Sequence, residues 1–238
     1  MASIVERARA AFSVRYNAAA FRRAIRVEVE VPVTTVGDLS YGGYAIPAQL
    51  LDADSVLVSI GAGTDVSFEL AVAQRFGCRA FIYDPVPASA TYTEKAIAHE
   101  PRISYERLAV WNEDTDLDFH APLQEGFVSH SATDMHNTPV SFTAPARTLS
   151  TLASTNGWTH IDLLKVSAEG SEFAILDHAL ASGLEIRAIA VEWAQPVELG
   201  RVKAAVADLH RAGFRNVAVS GRPRNHKMTL LRGDVTFA

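Results

Sequence analysis

The sequence predicts an α/β fold, a doubly wound and mostly parallel sheet that ends in a C-terminal antiparallel β-hairpin. Three observations carry that expectation. Short apolar runs such as "SVLVSIG" (55–61), "RAFIYDP" (79–85), "IDLLKV" (161–166) and "RAIAVEW" (187–193) alternate with segments of helical spacing, which is how βαβ units read. The last two runs, "RNVAVSG" and "KMTLLRG", are joined by "SGRPRNH", too short for a helical crossover, so that pair is antiparallel. At 238 residues, 48% hydrophobic and 21% charged, the chain suits one soluble globular domain with a full-sized core.

Taken in order, residues 3–24 read as a helix, with Ile4, Ala8, Ala11, Phe12 and Val14 near helical spacing. "VEVEVPV" (27–33) alternates like a strand that stops at Pro32. A loop rich in glycine and tyrosine, "GDLSYGGYAIP", and a short helix around "AQLLDA" follow. "SVLVSIG" is the first core strand and "DVSFELAVAQRFG" (65–77) its helix, closed by Gly77. "RAFIYDP" and "SATYTEKAIAHE" (89–100) form the next pair, and "ISYERLAVW" (103–111) a third strand. A polar stretch over 112–147 holds strand-like "LDFHAP" and "VSFTAPART". "LSTLASTNG" is a helix, "IDLLKV" a strand, "EGSEFAILDHALASG" its helix, "RAIAVEW" a fifth strand and "RVKAAVADLHRAGF" the last helix. No internal repeat or linker interrupts the order. The main domain is expected over 41–238, preceded by a helix-and-strand extension over 1–40.

Composition excludes several classes. The lone Cys78 rules out an internal disulfide framework and a Cys-based zinc site, and fits a reducing, cytoplasmic setting. No apolar run approaches the ~18 residues that would span a membrane. Residues 1–26 carry six arginines against Glu6 alone, within a net charge of −5. That start reads either as a transit peptide or as a surface helix packing on its own domain or on a second copy of the chain. An acidic body without a basic stripe argues against nucleic acid as partner. The alternating Asp114, Asp116 and Asp118 read as a solvated face rather than a metal site. Arg222, Arg224, His226 and Lys227 read as a plain hairpin tip.

In open α/β sheets, ligands bind beyond the carboxyl ends of the strands. After the first core strand, Ser59 leads into Gly61, Ala62 and Gly63, and the glycines let the backbone turn and approach a ligand. An ordinary tight turn is the plainer alternative. The dinucleotide fingerprint fails, because Val66 stands where a third glycine belongs. The second strand ends at Asp84-Pro85. An acid about 20 positions beyond the first glycine is where such folds hold a ribose, and a helix cap is the alternative. The fourth core strand ends in Lys165, Ser167 and Glu169, the last of which could instead cap the next helix. Glu192 ends the fifth strand, where a buried carboxylate would need a partner; Lys165 is the expected one.

These residues together resemble one group, the FkbM-type S-adenosylmethionine-dependent methyltransferases. The resemblance rests on G-x-G-x-D-x-S-F (Gly61, Gly63, Asp65, Ser67, Phe68), "FGCRAFIYDP", "VWNED" (110–114), "VSHS" (128–131), "IDLLKVSAEGSEFAIL" and the upstream Tyr41-Gly42-Gly43 with Ile46-Pro47. It covers residues 41 to about 195 with the motifs in order. It implies the class I methyltransferase variant of the Rossmann-like architecture and S-adenosylmethionine as cofactor. The amino-acid end would lie near Gly61 and Gly63, the ribose on Asp84 and the adenine near Leu108–Asn112, flanked by Trp111 unless that ring is core. It also implies a hydroxyl acceptor on a sugar or other small metabolite. His130, Glu192, Lys165 and Glu169 are then the candidate catalytic residues, His130 because imidazole titrates in the useful range.

Two departures mark the acceptor edge. The family usually reads K-x-D-x-E-G at the fourth strand, and here Ser167 replaces the aspartate; a histidine often follows the fifth-strand glutamate, and here Ala194 does. Both changes remove titratable groups. They keep open a second reading, a cofactor-binding scaffold or subunit with weakened chemistry. A nicotinamide dehydrogenase ranks third, against the missing glycine and the closing hairpin.

Overall fold

The computed structural model describes residues 18–123, 127–135, 137–222 and 225–235. Helix α1 (18–24) leads to strands β1 (Thr34–Val36) and β2 (Tyr44–Ile46), then β3 (Val56–Ile60), α2 (Ser67–Phe76), β4 (Arg79–Tyr83) and α3 (Pro87–Ile97). Next come β5 (Ile103–Glu106), β6 (Ala109–Val110), β7 (Thr115–His120), β8 (Val140–Arg147) and α4 (Leu149–Asn156). The chain closes with β9 (His160–Val166), α5 (Glu172–Ala181), β10 (Glu185–Trp193), α6 (Leu199–Arg211), β11 (Phe214–Arg222) and β12 (Asn225–Arg232).

Seven strands form the central sheet in the order β11-β12-β10-β9-β3-β4-β5. β3, β4, β5, β9 and β10 run parallel, and β12 slots antiparallel between β10 and β11. This is the mostly parallel sheet with a closing hairpin that the sequence predicts. Both faces are covered, so β3 is buried at every position. Period-two alternation divides the core. Val56, Val58 and Ile60 face a layer with Leu149, Leu176 and Val206 of α4, α5 and α6. Leu57 faces the other layer, with Phe68 and Val72 of α2 and Tyr44 and Ile46 of β2. The chain reverses direction across the sheet between β3 and β9, which opens a crevice above their carboxyl ends.

Three local expectations change. "VEVEVPV" is not a strand: Val27, Val29 and Val33 are 47%, 41% and 40% exposed. Apart from Glu28 and Val29 amides on the Asn216 carbonyl, this stretch makes no ladder, and β1 starts beyond Pro32. "ISYERLAVW" divides at Arg107: β5 stays in the main sheet, while β6 pairs with β8 in a separate sheet ordered β6-β8-β7. The expected boundary at residue 40 falls inside the β1–β2 hairpin, and Phe21 and Ile25 belong to the main core, so extension and body share one interior. Residues 1–17, with Arg7, Arg9 and Arg15 and with any surface for a second copy, lie outside the described residues. Among the described residues no helix is long and apolar enough to cross a membrane. Cys78 is fully buried, and burial pushes its thiol up to about 11, leaving it inert.

Candidate active site

A cleft of about 910 Å³, partly continuous with solvent, opens over the ends of β3, β4, β9 and β10. Gly61, Ala62, Gly63, Asp84, Pro85, His130, Lys165, Ser167, Glu169 and Glu192, all sequence candidates, line it together. The small β6-β8-β7 sheet and the 128–132 segment form its roof, through Ala109, Val110, Leu117, Phe119 and Val128.

On one side the backbone is locked. Gly61 has φ +84°, and a Cβ there would collide with the Ser167 carbonyl oxygen. Glycine is therefore required by the close approach of two strand-end turns. Asp84 Oδ2 accepts from the amides of Ala62 (2.8 Å) and Gly63 (2.9 Å), and Oδ1 from the Val86 amide (2.8 Å). One buried carboxylate thus holds both the glycine turn and the entry to α3. The D-x-S-F residues have structural work as well. Asp65 accepts from the Ser67 amide (2.8 Å), Ser67 Oγ accepts from the Asp38 amide (2.8 Å), and the Phe68 ring meets Tyr44 edge-on. They fasten the β1–β2 hairpin to the start of α2.

Beneath the crevice sits an ionic group that the sequence reading did not assemble. Ser59 and Lys165 are neighbours in the β3–β9 register. Lys165 Nζ donates to the Gly61 carbonyl and lies 3.5 Å from Glu69 Oε1, which also accepts from Ser59 Oγ at 2.5 Å. Glu69 comes from the buried face of α2. A charged residue at a buried helical position was the available signal, because such a group needs partners.

The opposite wall is made of side chains from distant segments. Glu192 pairs with Lys227, not with Lys165 as expected, because Glu192 and Lys227 face each other in the β10–β12 ladder. Their charged atoms are 3.4 Å apart, and Tyr44 Oη (3.3 Å) and Ser167 Oγ (3.4 Å) also donate to Glu192 Oε2. Lys227 is no hairpin tip: it is buried, donates to the carbonyls of Tyr41 (2.6 Å) and Gly43 (3.2 Å), and sits 4.1 Å from the Tyr44 ring centroid. His226 beside it is buried and stacked on Phe21. Arg224 and the Arg222 side chain lie outside the described residues. Burial, then the charge of Glu192, raises the Tyr44 hydroxyl well above its ordinary range.

Glu169 does not cap α5. Glu172 does so, accepting from the Ala168 amide (2.9 Å) and the Gly170 amide (3.0 and 3.2 Å). Glu169 instead lines the cleft at φ +46°, a left-handed conformation that costs a non-glycine residue of order 1 kcal/mol or more and clusters at functional sites. Burial raises its carboxyl above the usual range, against a hydrogen bond from Ser129. Its carbonyl accepts from Ser131 Oγ at 2.6 Å, which ties the roof to the strand end. His130 Nδ1 lies 3.2 Å from the Val128 carbonyl. Donation there leaves the Nε2 lone pair free to accept a proton.

Two candidates fall outside the cleft lining. Ser59 lies below it, fully buried and bonded to Glu69. Trp111 packs against the small-sheet cluster of Ala109, Phe119, Ala144 and Ala146, and its amide donates to the Arg147 carbonyl. Of the stretch expected at the adenine, Ala109 and Val110 reach the cleft. Asp114 and Asp118 also have partners: Asp114 accepts from the Thr148 amide at the start of α4, and Asp118 from Thr143 Oγ1.

The Methyltransferase FkbM domain family matches residues 59–215. The chain belongs to the FkbM methyltransferase family. S-adenosylmethionine is accordingly its cofactor. No curated sequence matches significantly. Similar solved structures include a Geobacter metallireducens precorrin-6Y C5,15-methyltransferase (15% identity, 78% of this chain and 83% of that one, TM-score 0.45). Another is a Methanococcus jannaschii fibrillarin pre-rRNA processing protein (11%, 79% and 69%, 0.46). A third is an Aeropyrum pernix fibrillarin with natively bound S-adenosyl-L-methionine (8%, 87% and 86%, 0.45). With TM-scores below 0.5, the fold assignment rests on the strand order and the family match.

The cleft of this FkbM methyltransferase fits such a cofactor on two counts. The Ala62 and Gly63 amides are already taken by Asp84, so the glycine turn has no donors there for a pyrophosphate. Among the described residues, Asp65, Glu69, Asp84, Glu169 and Glu192 face it against Lys165 and Lys227, a balance that favours a cationic ligand.

Proposed function

We propose that this methyltransferase alkylates a hydroxyl of a sugar or other small polyhydroxylated metabolite, with Glu169 taking the acceptor proton. The observation that carries this reading is the acceptor wall. Ser129, Ser167, Glu169, Glu192 and Tyr41 line one side of the cleft, groups that recognise hydroxyls by hydrogen bonding. The cofactor supplies a methyl group on a positively charged sulfur, so the protein needs chiefly to align the acceptor and receive its proton.

Each residue then has a task. Asp84 stands at the nucleoside side of the cleft and the glycine turn at the amino-acid side. Glu169 suits the base because burial brings its carboxyl up from the ordinary carboxylate range toward working pH. Glu192, held by Lys227 and Tyr44, orients the acceptor and shares a hydrogen bond with Ser167. The serine hydroxyl keeps a polar contact where the family's aspartate would add charge. His130 offers Nε2 from the roof. The acid-rich lining would repel the phosphates of a nucleic acid.

A panel of sugars and hydroxylated metabolites, assayed for methyl transfer, tests the reading. Transfer to hydroxyl oxygen is expected. Transfer only to carbon, nitrogen or RNA would contradict it. Cofactor binding without transfer to any acceptor would favour the scaffold reading that Ser167 and Ala194 raise.

A further inference from the structure

Glu69 Oε2 is buried and has no hydrogen-bond partner among the described residues, although the residue lines the cleft. Its twin oxygen is fully engaged by Ser59 and Lys165. The side chain is only 1% exposed. A buried carboxylate oxygen without a donor is costly, and native proteins rarely leave one without a reason. Glu69 lines the cleft beside the lysine that holds the Gly61 carbonyl.

We propose that Glu69 is a cofactor-binding residue whose Oε2 accepts a hydrogen bond from the ammonium group of the cofactor's amino-acid end. This rests on the placement of that end beside Gly61 and Gly63. The chemistry of the site selects an N–H donor that carries positive charge. Lys165 and Ser59 both engage Oε1, so an anion or a carbonyl at Oε2 would be repelled, whereas an ammonium would donate a charge-assisted hydrogen bond there. Ser59 then acts from outside the cleft lining: its hydroxyl holds Glu69 in place from below. It is a positioning residue.

The test is calorimetric binding of S-adenosylhomocysteine and its deaminated analogue, which differ in the amino group alone. Wild-type protein is expected to bind the deaminated compound at least ~10-fold more weakly, the scale of one charge-assisted hydrogen bond. Glu69→Gln is expected to weaken S-adenosylhomocysteine by ~10-fold or more while leaving the deaminated analogue within ~2-fold. A purely structural role for Glu69 would weaken both compounds alike, and that result overturns the proposal. Equal binding of the two compounds to wild type also overturns it, and needs no variant to fold. Absence of any S-adenosylhomocysteine binding to wild type would instead strike the cofactor placement on which the inference stands.

Discussion

The two walls of the cleft are built differently. The glycine-turn wall is backbone held by one carboxylate, with Asp84 serving three amides and Gly61 pressed against the Ser167 carbonyl. The acceptor wall is side chain against side chain. Tyr44, Ser167, Glu169, Glu192 and Lys227 come from β2, the β9–α5 turn, β10 and β12, brought together by register. A backbone wall has one geometry and tolerates little. A side-chain wall can be retuned one residue at a time, and Ser167, one of the two departures read in the sequence, lies in it.

Substitutions should break the two walls in different ways. Gly61→Ala places a methyl against a backbone carbonyl at a positive φ, and should cost ~3 kcal/mol of unfolding free energy or more. Gly63→Ala, whose Cβ would meet only Val128 Cγ2 at 3.9 Å, should cost about 1 kcal/mol in the same chemical denaturation experiment. Asp84→Asn loses charge at three amide contacts and should weaken S-adenosylhomocysteine by ~10-fold or more, read by calorimetry. Turnover at saturating cofactor should change far less, since the acceptor wall is untouched. Trp111→Phe, outside the cleft, should alter cofactor affinity by less than ~2-fold.

Glu172 sharpens the contrast through pH. Burial raises its carboxyl to about 7 despite three hydrogen bonds from backbone amides. A carboxyl raised above its unfolded value favours the folded state when protonated. Its contribution is complete below pH ~4.5 and is lost as pH rises through about 7. Thermal melts of Glu172→Gln should therefore show a flatter decline between pH 5 and 8 than wild type.

Local patterns made the fold and the glycine-turn wall legible. Apolar runs of strand length, helices ended by Gly77 and Gly157, and an acid 23 residues beyond Gly61 are all readable in one dimension. That spacing singles out Asp84, which lines the cleft while its carboxylate accepts from the amides of the turn itself. The acceptor wall depends on register, which spacing does not report. Glu192 finds Lys227 only because β12 inserts antiparallel beside β10, and the expectation of Lys165 assumed the nearer strand. "VEVEVPV" misled because alternation marks a strand only when one face is buried, and here the valines stay exposed. Glu69 escaped notice within an otherwise ordinary helix, because its partners are 10 and 96 residues away in sequence.

The separability of the two walls is tested most directly in one variant, Glu169→Gln with Glu192→Gln. S-adenosylhomocysteine affinity and single-turnover methyl transfer would be measured on the same preparation. Affinity within ~3-fold of wild type with a transfer rate lower by ~1,000-fold is the expected result, the scale of losing a general base and its neighbour. Retained transfer, or cofactor binding lost together with it, would contradict the account.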